Sequence, residues 1–562
     1  MRICGIKITH DGGVALLADS QLVFSVEIEK LENNHRYQPI DYLERVAEIL
    51  RRENVDLASV DRFVVDGWWS QAADGSTHVQ STAAGRTVDL AVAPYVDAGP
   101  ERPPLARYTF RTPHLGFADL EYSSYHHATG HLLGCYCSSP FAKRGEDALI
   151  LVWDGGMVPR LYEVTARTLS ARPVGALLPM VGSIFGDFCG CFEPFFADRA
   201  GWSEEQDLFY DLSIAGKAMA YAGLGRVEEN AFDYLDDIID DLPGISTKSA
   251  RVVASRITAE RSGRFQGMSN ADIICTFQAY LGRRLLDSLA RLVGRNCPQG
   301  KPNLGMAGGC ALNIKWNTAM RDSGIFSEIW VPPFPNDSGA AIGTAAAEMF
   351  CGKHARAFDW DVYRGPSVDT AIAPPDWISR PCDERGVAEL LHAEGEPIVV
   401  LSGRAELGPR ALGNRSILAP ATDPVMKDRL NQMKGREGYR PVAPICLEHR
   451  AHELFDPGTP DPYMLFEHRA RGDWARRIPA VVHLDGTARL QTVRPDGCCA
   501  ARILSEYEKL SGIPVLCNTS ANLNGSGFFP DPASAAKWGR TKYVWLDQTL
   551  YLNPRFEQAR QS

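Results

Sequence analysis

The chain has 562 residues, 45% of them hydrophobic and 23% charged, with a formal net charge of −10. That length exceeds what one hydrophobic core organises, so two or more domains are expected. The acidic balance argues against unspecific nucleic-acid binding, and no apolar run approaches the roughly 20 residues that span a bilayer, so no nucleic-acid or membrane partner is expected and the protein reads as cytoplasmic.

The first thirty residues read as strand, turn, strand, turn, strand: RICGIKI, THDGG, VALLAD, SQ and LVFSVEIE. His10 and Asp11 sit on the first turn beside Gly12 and Gly13. A histidine there could serve as a general base, because its unperturbed pKa lies near neutral. It could equally be a turn residue bonded to its own loop. Farther on, HHATGH places His127 and His131 four residues apart, one helical turn, a spacing that seats two ligands on one metal ion. The intervening residues include no glutamate, so this is not a HExxH protease helix.

The opening pattern returns as ALILVW, DGG and MVPRLYEVT, which suggests an internal duplication of a mixed α/β half-domain, as in actin-like two-lobed ATP-binding folds. Asp154 follows the buried-looking strand, where a lone carboxylate needs a partner. NLGMAGG is a third strand with a glycine turn, running into the helical ALNIKWNTAM. Asp337, in PPFPNDSGAAIG, precedes an apolar helix and could simply be its N-cap. Two His and two Asp make a mixed nitrogen and oxygen set suited to Fe²⁺, Mn²⁺ or Zn²⁺. The 14 cysteines are expected as thiols. Cys135-x-Cys137 and Cys189-x-Cys191 could form a four-thiolate metal site, although their spacing is not the usual C-x-x-C.

From about Gly352 to Glu396, prolines, Asp, Gly and Ser interrupt any helical period and mark a boundary or linker. Two domains are expected, residues 1–365 and 390–562. A new strand, PIVVLSG, opens residues 403–444, which carry eight Arg or Lys (Arg404, Arg410, Arg415, Lys427, Arg429, Lys434, Arg436, Arg440) against four acids. Arginine forks interspersed with glycine and proline suggest a folded cradle for a polyanion, with a plain surface charge run as the alternative. The tail holds another apolar strand running into a polar loop, GIPVLCNTSANLNGSGF.

Taken together, HDGGVALL, HATGHLLGCYCSSPF, AGKAMAYAGLG, AGGCALN, NDSGAAIGTA, GRAELGPRALGNRSIL, YRPVAP, DGTARLQTV and CNTSANLNG resemble the ATP-dependent O-carbamoyltransferases of antibiotic tailoring and nodulation-factor modification. The resemblance implies an actin-like domain at residues 1–365 and a YrdC-like domain at 390–562. The latter would make carbamoyl-adenylate from carbamoyl phosphate and ATP with Mg²⁺, and the former would pass the carbamoyl group to a small-molecule hydroxyl. It implies His10 as the catalytic residue and His127, His131, Asp154 and Asp337 as ligands of a divalent transition metal, Fe²⁺ being the expected ion. It places Arg410, Lys434 and Arg440, with Arg415, Arg489, Asn518, Thr519 and Ser520, in the carbamoyl-phosphate and nucleotide pocket. A homodimer is possible in such a family. The sequence departs from the family pattern at EIEKLENNH after the third strand, at Ala521 in NTSAN, and at Gly12 and Gly13. The rival readings are an actin-like small-molecule kinase and a non-catalytic nucleotide-binding protein.

Overall fold

The computed structural model describes residues 1–69, 77–98, 102–116, 119–242, 249–297 and 300–558. The chain divides into two compact units. One comprises Met1–His10, Val14–Val23 and Ile40–Trp360; the other comprises Asp11–Gly13, Phe24–Pro39 and Asp361–Ser562. The mixed α/β class expected from the sequence is what the structure has.

The first unit is built on two sheets. In the first, β1 (Arg2–Lys7), β2 (Gly13–Ala18), β3 (Gln21–Glu27), β4 (Arg62–Asp66), β5 (Tyr108–Thr112) and β6 (Leu120–Tyr125) lie in the order β3-β2-β1-β4-β6-β5. Strand β1 runs parallel to β4, and β4 parallel to β6. Helix α1 (His127–Ser138) follows directly. In the second sheet, β7 (Ala148–Val152), β8 (Arg160–Thr165), β9 (Ser170–Ala176), β10 (Leu304–Ala307) and β11 (Ile329–Trp330) lie in the order β9-β8-β7-β10-β11. Here too the first strand pairs in parallel with the fourth, and the fourth with one further strand, β11. Both sheets therefore place third, second, first, fourth and a further parallel strand side by side, which is the duplication the repeated strand-and-glycine pattern predicts. The central strands are apolar almost throughout, because a parallel sheet between layers is buried on both faces.

Helix α2 (Ala340–Cys351) packs on β1 and crosses α1. Small residues permit that crossing. A Cβ built on Gly343 would lie 2.1 Å from the carbonyl oxygen of Gly130, and one on Gly5 would lie 2.0 Å from that of Ala341. Backbone cannot yield as a flexible side chain does. Gly343→Ala is expected to cost about 2 to 3 kcal/mol in chemical denaturation, whereas Gly294→Ala, whose Cβ meets nothing, serves as the control.

The second unit carries an eight-stranded sheet. In chain order its elements are β12 (Ile378–Pro381), α3 (Glu384–Glu394), β13 (Ile398–Leu401), β14 (Arg415–Pro420), α4 (Met426–Lys434), β15 (Ala443–Leu447), β16 (Gln491–Val493), α5 (Cys499–Ser511), β17 (Val515–Ser520), β18 (Tyr543–Leu546) and β19 (Thr549–Leu552). The strand order is β12-β19-β18-β13-β14-β17-β15-β16. The stretch read as a linker thus contributes an edge strand and a helix. Strand β12 is exposed along its length and carries no alternating pattern to betray it, while α3 is capped by Asp383, which accepts from the Gly386 amide at 2.8 Å. Among the described residues no helix is long and apolar enough to cross a membrane.

Candidate active site

In the first unit, the C-terminal ends of the parallel strands converge, the usual place for a site in such sheets. Lys7 ends β1, Asp66 ends β4, His127 opens the helix after β6, and Asp154 follows β7. Gly308, at φ +88°, turns the chain sharply after β10, and the next amide, Gly309, donates to Asp154 Oδ1 at 2.6 Å. Asp337 begins the turn before α2 and caps no helix with its side chain, so the alternative N-cap role falls away.

His127, His131, Asp154 and Asp337 offer four ligand atoms lying within 4.8 Å of one another, all from buried residues. The Nε2 atoms of the two histidines face each other at 3.0 Å. Asp337 Oδ1 lies 3.4 Å from His127 Nε2 and 3.5 Å from His131 Nε2. Asp154 lies 3.7 and 3.8 Å from the same two nitrogens. Asp66 holds His127 from behind, accepting at 2.7 Å from Nδ1. That contact orients the ring so that Nε2 points at the cluster. Two imidazole nitrogens and two carboxylates pointed at one another in a buried space fit a divalent cation, which would neutralise the carboxylates and occupy both lone pairs. The four Cys of the C-x-C pairs join no such cluster among the described residues, and Cys135, Cys137 and Cys189 are simply buried thiols.

The electrostatics are strongly perturbed. Burial works against ionisation of Asp337, but Lys7, His127 and His10 overcome it and hold its pKa well below the usual carboxylate range. Burial likewise lowers His127, yet Asp66 and Asp337 raise it well above its ordinary value. Burial, then Asp154 and Asp337, push the Tyr95 phenol well up, so it stays a proton donor to Asp154 Oδ2 at 2.6 Å. His10 lies beside this cluster, with Nε2 3.6 Å from Asp337 Oδ2 and its ring edge-on to Trp68 at 5.5 Å.

The second unit holds the other constellation. Arg410, Arg436, Arg440, Arg489 and Arg36 are half-buried and close enough to perturb one another. Burial, then Arg489, Arg36 and Arg440, lower Arg410 well below its usual value. Burial, then Arg440, bring Arg436 down to about 9, and burial, then Arg436 and Arg440, bring Arg489 to about 10. The Nε atoms of Arg410 and Arg489 are buried without a hydrogen-bond partner. Like charges crowded together out of water are stabilised by an anion among them. Asn518 is buried here too; its Nδ2 donates to Ala411 O at 3.1 Å and Gln491 Oε1 at 2.7 Å, while its Oδ1 has no partner.

The remaining basic residues of the 403–444 stretch differ in use. Arg415 is expected in the pocket, but its guanidinium is 2% exposed and donates to the carbonyls of Ser402, Gly403, Asn414 and Pro366, so it braces the loop and has no fork to offer an anion. Lys434 lies beside the arginines, yet its ammonium is committed to Ser520 O, to Ser520 Oγ at 3.0 Å and to Asn522 Oδ1 at 2.7 Å. It ties α4 to the loop after β17. Ser520 acts in that tie, and Thr519 is a buried ladder residue opposite Ile417. Arg429 pairs with Glu396, and Arg404 reaches the Arg364 carbonyl at 3.5 Å.

Several participants escape sequence reasoning. Lys7, Asp66, Tyr95 and Trp68 sit at strand ends or in a loop with no motif around them. Arg36 belongs to the stretch EIEKLENNHRY, where the departure from the family pattern draws attention to what is lost. That stretch packs within the second unit: the Arg36 amide donates to Gly525 O at 3.1 Å and the Phe528 amide to Glu29 O at 3.0 Å. The dense contacts of Arg36 with Glu29 and Tyr37 were detectable only as an arginine next to an aromatic.

Comparison with known proteins gives a consistent result. Residues 2–346 match the family model described as carbamoyltransferase N-terminus, and residues 388–551 the one described as carbamoyltransferase C-terminus. The chain is 45% identical to a nodulation protein U of Rhizobium tropici, over 99% of this chain and 96% of that one. It is 33% identical to the 3'-hydroxymethylcephem-O-carbamoyltransferase of Amycolatopsis lactamdurans, over 94% of each. The corresponding Streptomyces clavuligerus enzyme is 32% identical, over 98% of this chain and 99% of that one. Both halves matched in order, and relatives aligned nearly end to end, mean that the chain belongs to the carbamoyltransferase family.

Proposed function

We propose that this O-carbamoyltransferase makes carbamoyl-adenylate from carbamoyl phosphate and ATP in the second unit and transfers the carbamoyl group to a small-molecule hydroxyl in the first, the acceptor being a secondary metabolite. The matching strand orders of the two sheets support an actin-like first unit, and the eight-stranded sheet stands as its YrdC-like companion.

The observation that carries the reading is the arginine cluster with its unpartnered Nε atoms and the lone oxygen of Asn518. Carbamoyl phosphate and ATP bring several negative charges together, and they repel unless fixed cations separate them. Arg410, Arg440 and Arg489, joined by Arg36 and Arg436, supply those cations, while Asn518 Oδ1 accepts an N–H of the carbamoyl amide. With water, the two substrates balance to carbamoyl-adenylate, phosphate and pyrophosphate. Mg²⁺ accompanies the nucleotide, whose phosphates furnish much of its coordination.

In the first unit His127, His131, Asp154 and Asp337 would hold a divalent transition ion, Fe²⁺ in our reading. Bound there, such an ion supplies Lewis acidity toward the carbamoyl or phosphoryl oxygen. His10, beside Asp337, takes the proton of the acceptor hydroxyl as its oxygen attacks the carbamoyl carbon and AMP leaves. Stripping the protein with a chelator and restoring only Mg²⁺ is expected to return pyrophosphate release but not carbamoyl transfer, followed by parallel assays of the two products.

The deciding experiment incubates the protein with ATP, Mg²⁺, carbamoyl phosphate and a panel of hydroxylated natural products, with mass spectrometry of acceptor and nucleotide. AMP, pyrophosphate and a carbamoyl mass gain support the reading. ADP with a phosphorylated acceptor means a kinase, and nucleotide binding without turnover means a non-catalytic protein.

A further inference from the structure

Lys7 and Asp66 are buried, yet neither supplies one of the four converging ligand atoms. They end adjacent parallel strands, where Ile6 pairs with Val65, so the next residue on each strand projects from the same sheet edge. Lys7 Nζ lies 3.1 Å from Asp66 Oδ2 and 2.9 Å from Asp337 Oδ2. The same Asp66 oxygen accepts from His127 Nδ1 at 2.7 Å. Lys7 also sits 4.2 Å from the centre of the Trp68 ring. Gly130 leaves the other Asp66 oxygen its room, since a Cβ there would come within 3.4 Å of Oδ1.

We infer that Asp66 and Lys7 are positioning residues that tune the four-ligand cluster to a divalent cation. The inference rests on the reading that the cluster takes such an ion. Asp66 fixes the proton of His127 on Nδ1, leaving Nε2 as ligand. Lys7 occupies Oδ2 of Asp337, which leaves Oδ1 as the oxygen facing His127 and His131 and sets that carboxylate to bind through one oxygen. The charges then match. Once an ion has displaced any proton from the two Nε2 atoms, Asp154 and Asp337 face it with their charges while Lys7 pairs with Asp66, in a buried site where surplus charge is costly.

The test uses full-length protein loaded with Co²⁺, whose visible spectrum reports coordination number. Asp66→Asn keeps the side-chain shape and removes the charge, so Lys7 becomes surplus; Co²⁺ affinity is expected to fall by about 10- to 100-fold. Lys7→Met frees Oδ2 of Asp337, and the Co²⁺ spectrum is expected to move toward higher coordination. The pair Lys7→Met with Asp66→Asn restores the charge count and is expected to recover most of the affinity lost in Asp66→Asn, with circular dichroism confirming the fold of each variant. Independent, additive losses, or an unmoved spectrum, would overturn the inference alone. A wild type that takes up no Co²⁺ would overturn it together with the metal reading. Because Asp66→Asn is isosteric, that arm stands even where Lys7→Met does not fold.

Discussion

Arg410→Ala is expected to lower carbamoyl-phosphate-dependent pyrophosphate release by about 10²- to 10³-fold, the scale on which a preorganised charge donor acts, while making the ligand-free protein more stable. The second half of that result is the diagnostic one. Arg410 is crowded by Arg489, Arg36 and Arg440, and its buried Nε has no partner. Removing it relieves repulsion that only a bound polyanion would otherwise offset, a gain of about 1 kcal/mol of the kind seen when functional strain is deleted. Thermal unfolding with and without ATP or pyrophosphate reads both effects: the variant should melt higher alone and gain less from the anion. Arg415 provides the contrast, because its guanidinium braces four carbonyls and its truncation should destabilise with or without ligand. A variant of Arg410 with unchanged pyrophosphate release would remove the arginine cluster from the chemistry.

His10→Asn is expected to reduce carbamoyl transfer by about 10²- to 10⁴-fold, the range ascribed to a positioned general base, with pyrophosphate release largely intact. The substitution removes the Nε2 atom that lies 3.6 Å from Asp337 Oδ2 and leaves a smaller polar side chain on the turn. Measuring carbamoylated acceptor and pyrophosphate in one reaction separates the half-reactions. Undiminished transfer would exclude His10 from the mechanism.

These two residues also show what the chain reveals before folding. His10 stands on a glycine turn between two strands, and the His127/His131 spacing fixes its own geometry once a helix is assumed, so both were legible locally. The repeated strand-and-glycine pattern announces the duplication, and the two sheets share the order third, second, first, fourth before they diverge. For Arg415 and Lys434 the sequence reports that a cation is present, not how many oxygens already hold it. Lys7 and Asp66 lie hidden for a different reason: each ends an ordinary apolar strand, and only parallel pairing between residues 59 apart makes them neighbours. Strand β12 was missed since an exposed edge strand need not alternate apolar and polar residues.

The grouping of residues 24–39 with the carboxy-terminal unit bears on any attempt to dissect the enzyme. A fragment begun at residue 361 would leave behind Arg36 and the backbone partners of Gly525 and Phe528. Fusing the peptide 24–39 ahead of such a fragment through a short flexible tether would return those partners, making the amino-terminal ribbon a portable part of the carboxy-terminal unit.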